Sequence, residues 1–353
     1  MSMDHLRTAF HEELSAPGPD TVRVENGRVH IREWSWSPHE VLDSMGEEVY
    51  QEAFKNWREE RREALLARVE EVLIEFDQID RFERLKDAYR RRAVLPFVGA
   101  GMSMPSEYLS WSSFLRRARA DAGLDEAAFE ELLRSGQYER AAQDVADALG
   151  VGFNERVEAK FAVDRDLRGP VQFLPYVFPN ESVITTNFDS VVKRCYRKRD
   201  DIPFESELTG LGSDELGRYL GEGRRVLVLL HGAASTPRGR VLTAREYEAA
   251  YGDAELLPRA VRSLCMRTML FMGCSLSIDR VLGELQRYVE AEGHDRCPRH
   301  YAFVAAPDDD AQRRAREREL ERLNIYPIWY PPNEDNEFIE GYFYRLADGV
   351  RDL

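Results

Sequence analysis

The sequence predicts an α/β fold: a doubly wound, Rossmann-like and mostly parallel sheet with a helical insert and an N-terminal extension. Short, uninterrupted apolar runs alternate with long helical stretches, a pattern typical of parallel strands that are buried on both faces. The first run also leads into a Gly-Ala-Gly turn, a common start for a ligand-binding α/β sheet. The runs predicted to be strands are 94–98, 182–186, 226–230, 269–272, 301–305 and 325–329.

Length and composition narrow the choice of protein class. With 353 residues, 43% of them apolar and 32% charged, the chain suits one large α/β domain with an extension, or two domains. The net charge of −15 argues against direct nucleic-acid binding. There is no apolar run of membrane-spanning length and no signal-peptide pattern, so we expect a cytoplasmic protein without a membrane partner.

The cysteines predict a reduced compartment and no metal site. None of the four belongs to a CxxC pair, and metal-binding His spacing is also missing, so no structural zinc is expected. The four residues are Cys195, Cys265, Cys274 and Cys297.

Residues 1–92 form a predicted extension of hairpin and helices, ahead of a main domain over 93–353. Residues 21–31 alternate apolar and polar side chains around Asn26-Gly27, a strong hairpin signal. Ser37-Pro38 predicts the start of a helical region. The extension either pads the main domain or carries a subunit interface. One helix face is predicted from the spacing of Leu65, Val69, Val72, Leu73 and Phe76, and a further helix from Ile79, Phe82, Leu85 and Tyr89.

A helical insert is predicted at about 107–178, between the first two strands of the sheet. Amphipathic segments there are separated by glycines and prolines. An insert at this point of the chain would lie above the carboxyl edge of the sheet, where open α/β sheets bind their ligands.

The turn Gly99-Ala100-Gly101 is the first candidate for a binding loop. Without a Cβ, glycine lets the backbone approach a ligand closely. We expect a helix to follow directly, with its first N–H groups, around Ser103, facing the phosphates of a ligand. The structural alternative is a simple turn before a packed helix.

Three later strands also end in residues that a buried strand does not need. They end in Thr186-Asn187-Phe188-Asp189, in His231-Gly232 and in Gly273-Cys274-Ser275. Each segment alone has a structural explanation, as a turn, a helix cap or a satisfied core histidine. Because the carboxyl ends of parallel strands share one edge of the sheet, the four segments together predict a nucleotide site.

These segments, in this order, resemble those of the sirtuin superfamily, and in particular the sirtuin-like NAD hydrolases of bacterial antiphage defence. The resemblance covers about residues 93–335. It extends to Leu242-Thr243, Glu246-Tyr247 and Tyr251, which are similar to the segment after the histidine in that branch. It implies that NAD is the substrate.

Two departures separate the chain from the deacylase sirtuins. Their four-cysteine zinc ribbon is missing, and residues 104–108 replace their Ile-Pro-Asp-Phe-Arg stretch. Thr186 also stands where the deacylases have Gln. Protein deacylation and ADP-ribosyl transfer are therefore weaker expectations than hydrolysis of NAD.

The predicted roles follow from the chemistry of glycosidic cleavage. His231 suits a general base, because imidazole can be neutral at working pH. Asn187 would orient water or ribose, and Asp189, by resemblance, would bind the nicotinamide carboxamide. The catalytic candidates are thus Asn187, His231 and Asp189; the binding candidates are Gly99, Ala100, Gly101, Ser103, Thr186, Gly273, Cys274 and Ser275.

An enzyme and a non-catalytic protein both remain open at this point. The first is an NAD glycohydrolase that depletes NAD in abortive infection; the second is a sensor or structural subunit that binds NAD or ADP-ribose. The presence of both Asn187 and His231 favours the enzyme. An unrestrained NAD hydrolase would be toxic, so we expect gating by a homo-oligomer or by a partner, such as a HerA-type ATPase or a phage-sensing protein. The charged helices before Lys86 are candidates for that contact.

Overall fold

The structure is a computed structural model, and it describes residues 3–15, 29–31, 34–199, 204–252, 256–276, 280–351 and 353. The strands of these residues form a small antiparallel hairpin and one seven-stranded parallel sheet. The hairpin consists of β1 (Val29–Ile31) and β2 (Trp34–Trp36). The sheet contains β3 (Val94–Val98), β4 (Val183–Thr185), β5 (Ser206–Thr209), β6 (Val226–Leu229), β7 (Thr268–Met272), β8 (His300–Ala305) and β9 (Ile325–Tyr330).

The strand order confirms the predicted fold class. The order is β5-β6-β4-β3-β7-β8-β9, so the chain builds outward from β3 in one direction and then, from β7, in the other. Apart from β5, this is the order of a dinucleotide-binding Rossmann sheet. The order reverses between β3 and β7, and there the crevice for a ligand is expected.

All six predicted strands are present, and β5 is the one strand of the sheet that the sequence did not predict. Its four residues, Ser-Glu-Leu-Thr, lie at the sheet edge and are partly exposed. A short edge strand that faces solvent has no continuous apolar run, so its pattern resembles that of a loop.

Helices cover both faces of the sheet. In β3, Val94 and Val98 face one apolar cluster, whereas Leu95 and Phe97 face the other. The helices are α1 (Arg7–Ser15), α2 (Pro38–Ser44), α3 (Glu47–Glu75), α4 (Ile79–Arg90), α5 (Trp111–Ala122), α6 (Glu126–Arg134), α7 (Tyr138–Leu149), α8 (Val151–Phe161), α9 (Leu174–Val177), α10 (Val191–Arg197), α11 (Leu216–Gly221), α12 (Ala244–Tyr251), α13 (Leu256–Cys265), α14 (Arg280–Glu292), α15 (Asp310–Arg322) and α16 (Asp335–Ala347).

The predicted helical insert consists of α5 to α9, between β3 and β4. Its aromatic rings reach the carboxyl edge of the sheet. The Trp111 ring lies 5.7 Å from that of Phe188, just after β4, and the Phe161 ring lies 6.3 Å from it. The insert therefore forms one wall above the sheet edge.

The helices α3 and α4 pack against α16 and β9. Gln78, which is 1% exposed, covers the outer edge of β9: its amide donates to Trp329 O at 2.7 Å, and its oxygen accepts from Trp329 N at 2.8 Å. Arg61 makes a two-pronged ion pair with Glu340 of α16, with both N–O distances 2.9 Å. This packing covers the β9 edge of the sheet.

The predicted turn at Asn26-Gly27 lies outside the described residues. The described hairpin is a separate one, in which Val29 pairs with Trp36 and Ile31 with Trp34. No helix in the described ranges has the length and apolarity to cross a membrane.

Candidate active site

A cavity of about 550 Å³ opens at the carboxyl edge of the sheet, where the strand order reverses. Its walls come from the ends of β3, β4, β6 and β7 and from the helical insert. All eleven residues predicted from the sequence line it. These are Gly99, Ala100, Gly101, Ser103, Thr186, Asn187, Asp189, His231, Gly273, Cys274 and Ser275.

The glycine turns after β3 and β7 pack directly against each other. A Cβ on Gly99 would lie 2.5 Å from Gly273 O, and one on Gly101 would lie 2.9 Å from Gly273 Cα. Gly273 has φ +64°, and its own Cβ would lie 2.5 Å from Met102 N. The glycines are therefore needed for contact between the two loops, whether or not a ligand also approaches them.

The prediction of a helix directly after the Gly99 turn is wrong. Two 3₁₀ turns follow instead, Ala100–Met102 and Met104–Ser106, and α5 begins only at Trp111. Pro105 explains the difference, because proline lacks an N–H and disfavours helical geometry in the residue before it.

The backbone of this loop is mostly engaged with itself and with β7. Gly101 N donates to Gly273 O at 2.8 Å, and Ser103 N donates to Ala100 O at 2.9 Å. Gly99 N and Met102 N are also bonded, to Met272 O and Gly99 O. Among the described residues, the Ala100 amide is the only backbone N–H of this loop without a hydrogen-bond acceptor. It is therefore the backbone donor that is available to a phosphate.

Asn187 is held by a hydrogen-bond network beneath the cavity. Its Nδ2 donates to Gly99 O at 3.0 Å and to Ser103 Oγ at 3.1 Å, which engages both amide hydrogens. Its backbone N donates to Thr185 Oγ1 at 3.0 Å, and Thr185 in turn donates to Val98 O at 2.8 Å. The Asn187 side chain therefore offers a ligand its oxygen, as an acceptor.

Asp189 lies at the other end of the same network. It is 8% exposed, and burial raises the pKa of its carboxyl to about 6. The Val191 amide, 3.0 Å from Oδ1, and the Ser103 hydroxyl donate to the carboxylate and oppose that rise. Ser103 thus links Asn187 to Asp189.

His231 follows β6 in a tight turn that depends on Gly232. Gly232 has φ +79°, and a Cβ there would clash with Gly239 O. His231 is 6% exposed, and burial lowers the pKa of its imidazole to about 4, so the ring is neutral near pH 7. Nδ1 lies 3.3 Å from the hydroxyl of Tyr247, whereas Nε2 is shielded from solvent and has no partner among the described residues.

The insert contributes lining residues that sequence reasoning did not single out for the site. Trp111, Tyr138, Glu139 and Phe161 all face the cavity. The only available signal was the position of the insert above the sheet edge, which does not say which side chains point inward.

The described residues contain no group of three or more His, Cys, Asp or Glu side chains arranged to hold a metal ion. The half-buried Cys274 sits in the β7 turn, with its Sγ 3.6 Å from Met272 O. The arrangement of the cavity is thus one of backbone turns with an amide, a carboxyl and an imidazole.

A cavity at the switch point of a Rossmann sheet is the usual position of a dinucleotide site. In a comparison with known families, residues 181–328 are similar to the SIR2-like domain. This match covers less than half of the chain and agrees with the resemblance seen in the sequence motifs.

Three similar proteins carry the name NAD(+) hydrolase ThsA. The one from Bacillus cereus (strain MSX-D12) is 25% identical over 272 residues, which cover 72% of this chain and 54% of the relative. The one from Acinetobacter baumannii (strain 532279) is 23% identical over 62% of this chain and 44% of the relative. The one from Enterococcus faecium is 22% identical over 58% of this chain and 42% of the relative. The chain thus spans about half the length of these relatives.

Proposed function

We propose that this protein is an NAD glycohydrolase, which cleaves NAD with water to nicotinamide and ADP-ribose. The observation that carries the proposal is the cavity at the switch point, where Asn187, Asp189 and His231 converge beside two interlocked glycine turns. The names of the ThsA relatives support the same reaction.

The reaction breaks the bond between the nicotinamide nitrogen and the anomeric carbon of the ribose. Nicotinamide leaves as a neutral molecule, and positive charge develops on the ribose in the transition state. Water adds to the anomeric carbon and gives up a proton. The neutral imidazole of His231 accepts that proton, either from water directly or through a ribose hydroxyl.

The other side chains orient the reactants. The amide oxygen of Asn187 accepts a hydrogen bond from the water or from a ribose hydroxyl, because both of its N–H groups are engaged. Asp189 accepts from the nicotinamide carboxamide. The pyrophosphate lies against Gly99 to Ser103 near the Ala100 amide, and Gly273 to Ser275 contact the adenosine half.

The role in the cell that we propose is depletion of NAD in an antiphage abortive-infection system, in the cytoplasm. Gating by a homo-oligomer, a HerA-type ATPase or a phage-sensing protein would keep the activity restrained. The shielded Nε2 of His231 supports gating, because a base needs access to its substrate. The extension 1–92 is the proposed contact region, and 93–353 the proposed catalytic domain.

The alternative is a sensor that binds NAD or ADP-ribose without turnover, and the same shielded Nε2 favours it. The experiment that separates the two is incubation of the purified protein with NAD, alone and with the products of neighbouring genes. Nicotinamide and ADP-ribose are quantified, together with NAD binding by calorimetry. Release of both products in equal amounts supports the hydrolase; binding without release under every condition supports the sensor. Protein-linked ADP-ribose or an O-acyl product would instead indicate a transferase or a deacylase.

A further inference from the structure

Helix α12 begins with a capping box that determines where Tyr247 lies. The Glu246 carboxylate accepts from the backbone N–H groups of Leu242 and Thr243, both at 2.9 Å. Thr243 Oγ1 accepts from Glu246 N at 3.4 Å, which completes the box. Val241, the residue before Leu242, donates its N–H to His231 O at 2.9 Å. The start of the helix is therefore tied to the His231 turn.

This geometry brings the Tyr247 ring onto the imidazole. The hydroxyl of Tyr247 lies 3.3 Å from His231 Nδ1, and the two rings meet edge to face with centroids 5.3 Å apart. On its other sides Tyr247 is packed by the Tyr251 ring at 5.8 Å and by the Arg280 guanidinium at 5.7 Å. Arg280 is itself ion-paired with Glu139 of the insert at 2.9 Å. The tyrosine is thus held in place independently of a ligand.

We propose that Tyr247 is a positioning residue: its phenolic oxygen accepts the Nδ1–H of His231 and so fixes the tautomer whose Nε2 is unprotonated. The inference rests on the proposed function, since only this tautomer lets Nε2 take a proton from the nucleophile.

Two further observations support this tautomer. A neutral imidazole carries one N–H, and a phenol oxygen can accept a hydrogen bond as well as donate one. Nε2 is buried and has no partner among the described residues, so a proton on Nε2 would be a buried donor without an acceptor. Buried N–H groups without an acceptor are rarer in proteins than acceptors without a donor.

The test compares the wild type with Tyr247→Phe and with Tyr251→Phe as the matched control. Tyr247→Phe keeps the aromatic ring and removes only the hydroxyl; Tyr251→Phe removes a hydroxyl from the neighbouring ring, one turn further along α12. Steady-state NAD hydrolysis gives kcat and KM. Proton–nitrogen correlation spectra of labelled histidine side chains report the tautomer, with the His231 signals identified by their loss in His231→Ala.

We expect wild-type His231 to carry its proton on Nδ1, and Tyr247→Phe to populate the other tautomer. Loss of one neutral hydrogen bond should lower kcat about 5-fold in Tyr247→Phe without a change in KM, whereas Tyr251→Phe should behave like the wild type. A proton on Nε2 in the wild type would overturn the proposal, and so would equal losses of kcat in the two variants. If the wild type releases no nicotinamide under any condition, the proposed function fails, and the tautomer alone then decides whether Tyr247 has this role.

Discussion

Two buried histidines lie at opposite edges of the sheet, and they share most of their local properties. His231 follows β6 at the carboxyl edge, and His300 begins β8 at the amino edge. In each, Nδ1 is within hydrogen-bond distance of one group, and Nε2 has no partner in the described part of the chain. Burial lowers the pKa of His231 to about 4 and that of His300 to about 3.

What differs is the surroundings of the two rings. His231 lines the cavity and contacts a phenol, which can donate or accept. His300 is not among the lining residues, and its Nδ1 accepts from the Met269 amide at 3.1 Å, a group that can only donate. A lowered pKa and an unpaired nitrogen are therefore not specific to the cavity, and the catalytic role proposed for His231 rests on its position at the carboxyl edge.

The strongest test of this difference is the His231→Ala variant. Loss of a general base should slow NAD hydrolysis about 10² to 10⁴-fold, measured as nicotinamide release under activating conditions. Binding of NAD through the glycine turns should persist, because those contacts do not involve the imidazole. Hydrolysis at the wild-type rate in this variant would refute the catalytic assignment.

Asn187→Ala extends the comparison to a second residue of the carboxyl edge. We expect a loss of rate comparable to that of His231→Ala, because the acceptor that orients water or ribose is removed. The structure adds a cost in stability: Gly99 O and Ser103 Oγ lose their shared donor, so the free energy of unfolding should fall by about 1–3 kcal/mol. Kinetics and urea unfolding measure the two effects separately. An inactive variant with wild-type stability would show that the network does not hold the turn.

His300→Ala should have the opposite kind of effect to that expected for His231→Ala: it should lower stability and leave the rate of NAD hydrolysis unchanged. The variant leaves the Met269 amide without its acceptor and opens a cavity, so the free energy of unfolding should fall by about 2–3 kcal/mol. The rate of NAD hydrolysis per folded molecule should not change. His300→Asn is the matched control, since its amide oxygen can replace Nδ1 as the acceptor and should recover part of the loss. A decrease in kcat for His300→Ala would contradict the expectation that the histidine at the amino edge has only a structural role.

A further effect concerns the pH dependence of stability. Between its folded pKa of about 3 and its ordinary value of 6.5, His300 binds a proton in the unfolded state but not in the folded state. Its contribution is therefore complete above pH 6.5 and is lost as the pH falls through this window. His231 behaves alike down to about pH 4, whereas Asp189, with its pKa raised to about 6, works in the opposite direction.

Comparison of the wild type with His300→Asn isolates one histidine, because all other groups are common to both proteins. Between pH 6 and 4, the free energy of unfolding of the wild type should fall more steeply, by about 1.4 kcal/mol per pH unit. Urea unfolding at several pH values measures the two slopes. Parallel slopes would mean that His300 already titrates near its ordinary pKa in the folded protein.

Much of the architecture could be predicted because burial requires apolar residues at regular spacings along the chain. The run Val94–Val98 is apolar throughout since both faces of β3 are covered, and the stripe from Leu65 to Leu73 is buried against the domain. The edge strand Ser206–Thr209 has no such apolar pattern, because its side chains are only partly buried. Local chemistry also misled at Gly99-Ala100-Gly101, where Pro105 prevents the regular helix that the glycine turn had suggested.

The sequence alone determined which residues share one edge of the sheet. Segments that follow parallel strands come together for reasons of topology, so the candidates from Gly99 to Ser275 could be grouped without coordinates. Only the tertiary structure decided what each of them touches. The need for glycine at position 99 comes from Gly273, and the partner of His231 is Tyr247, on a helix whose capping box sets the distance. The physical reason is that periodicity records whether a side chain is buried, whereas contacts between loops depend on how strands, turns and helix starts are arranged in space.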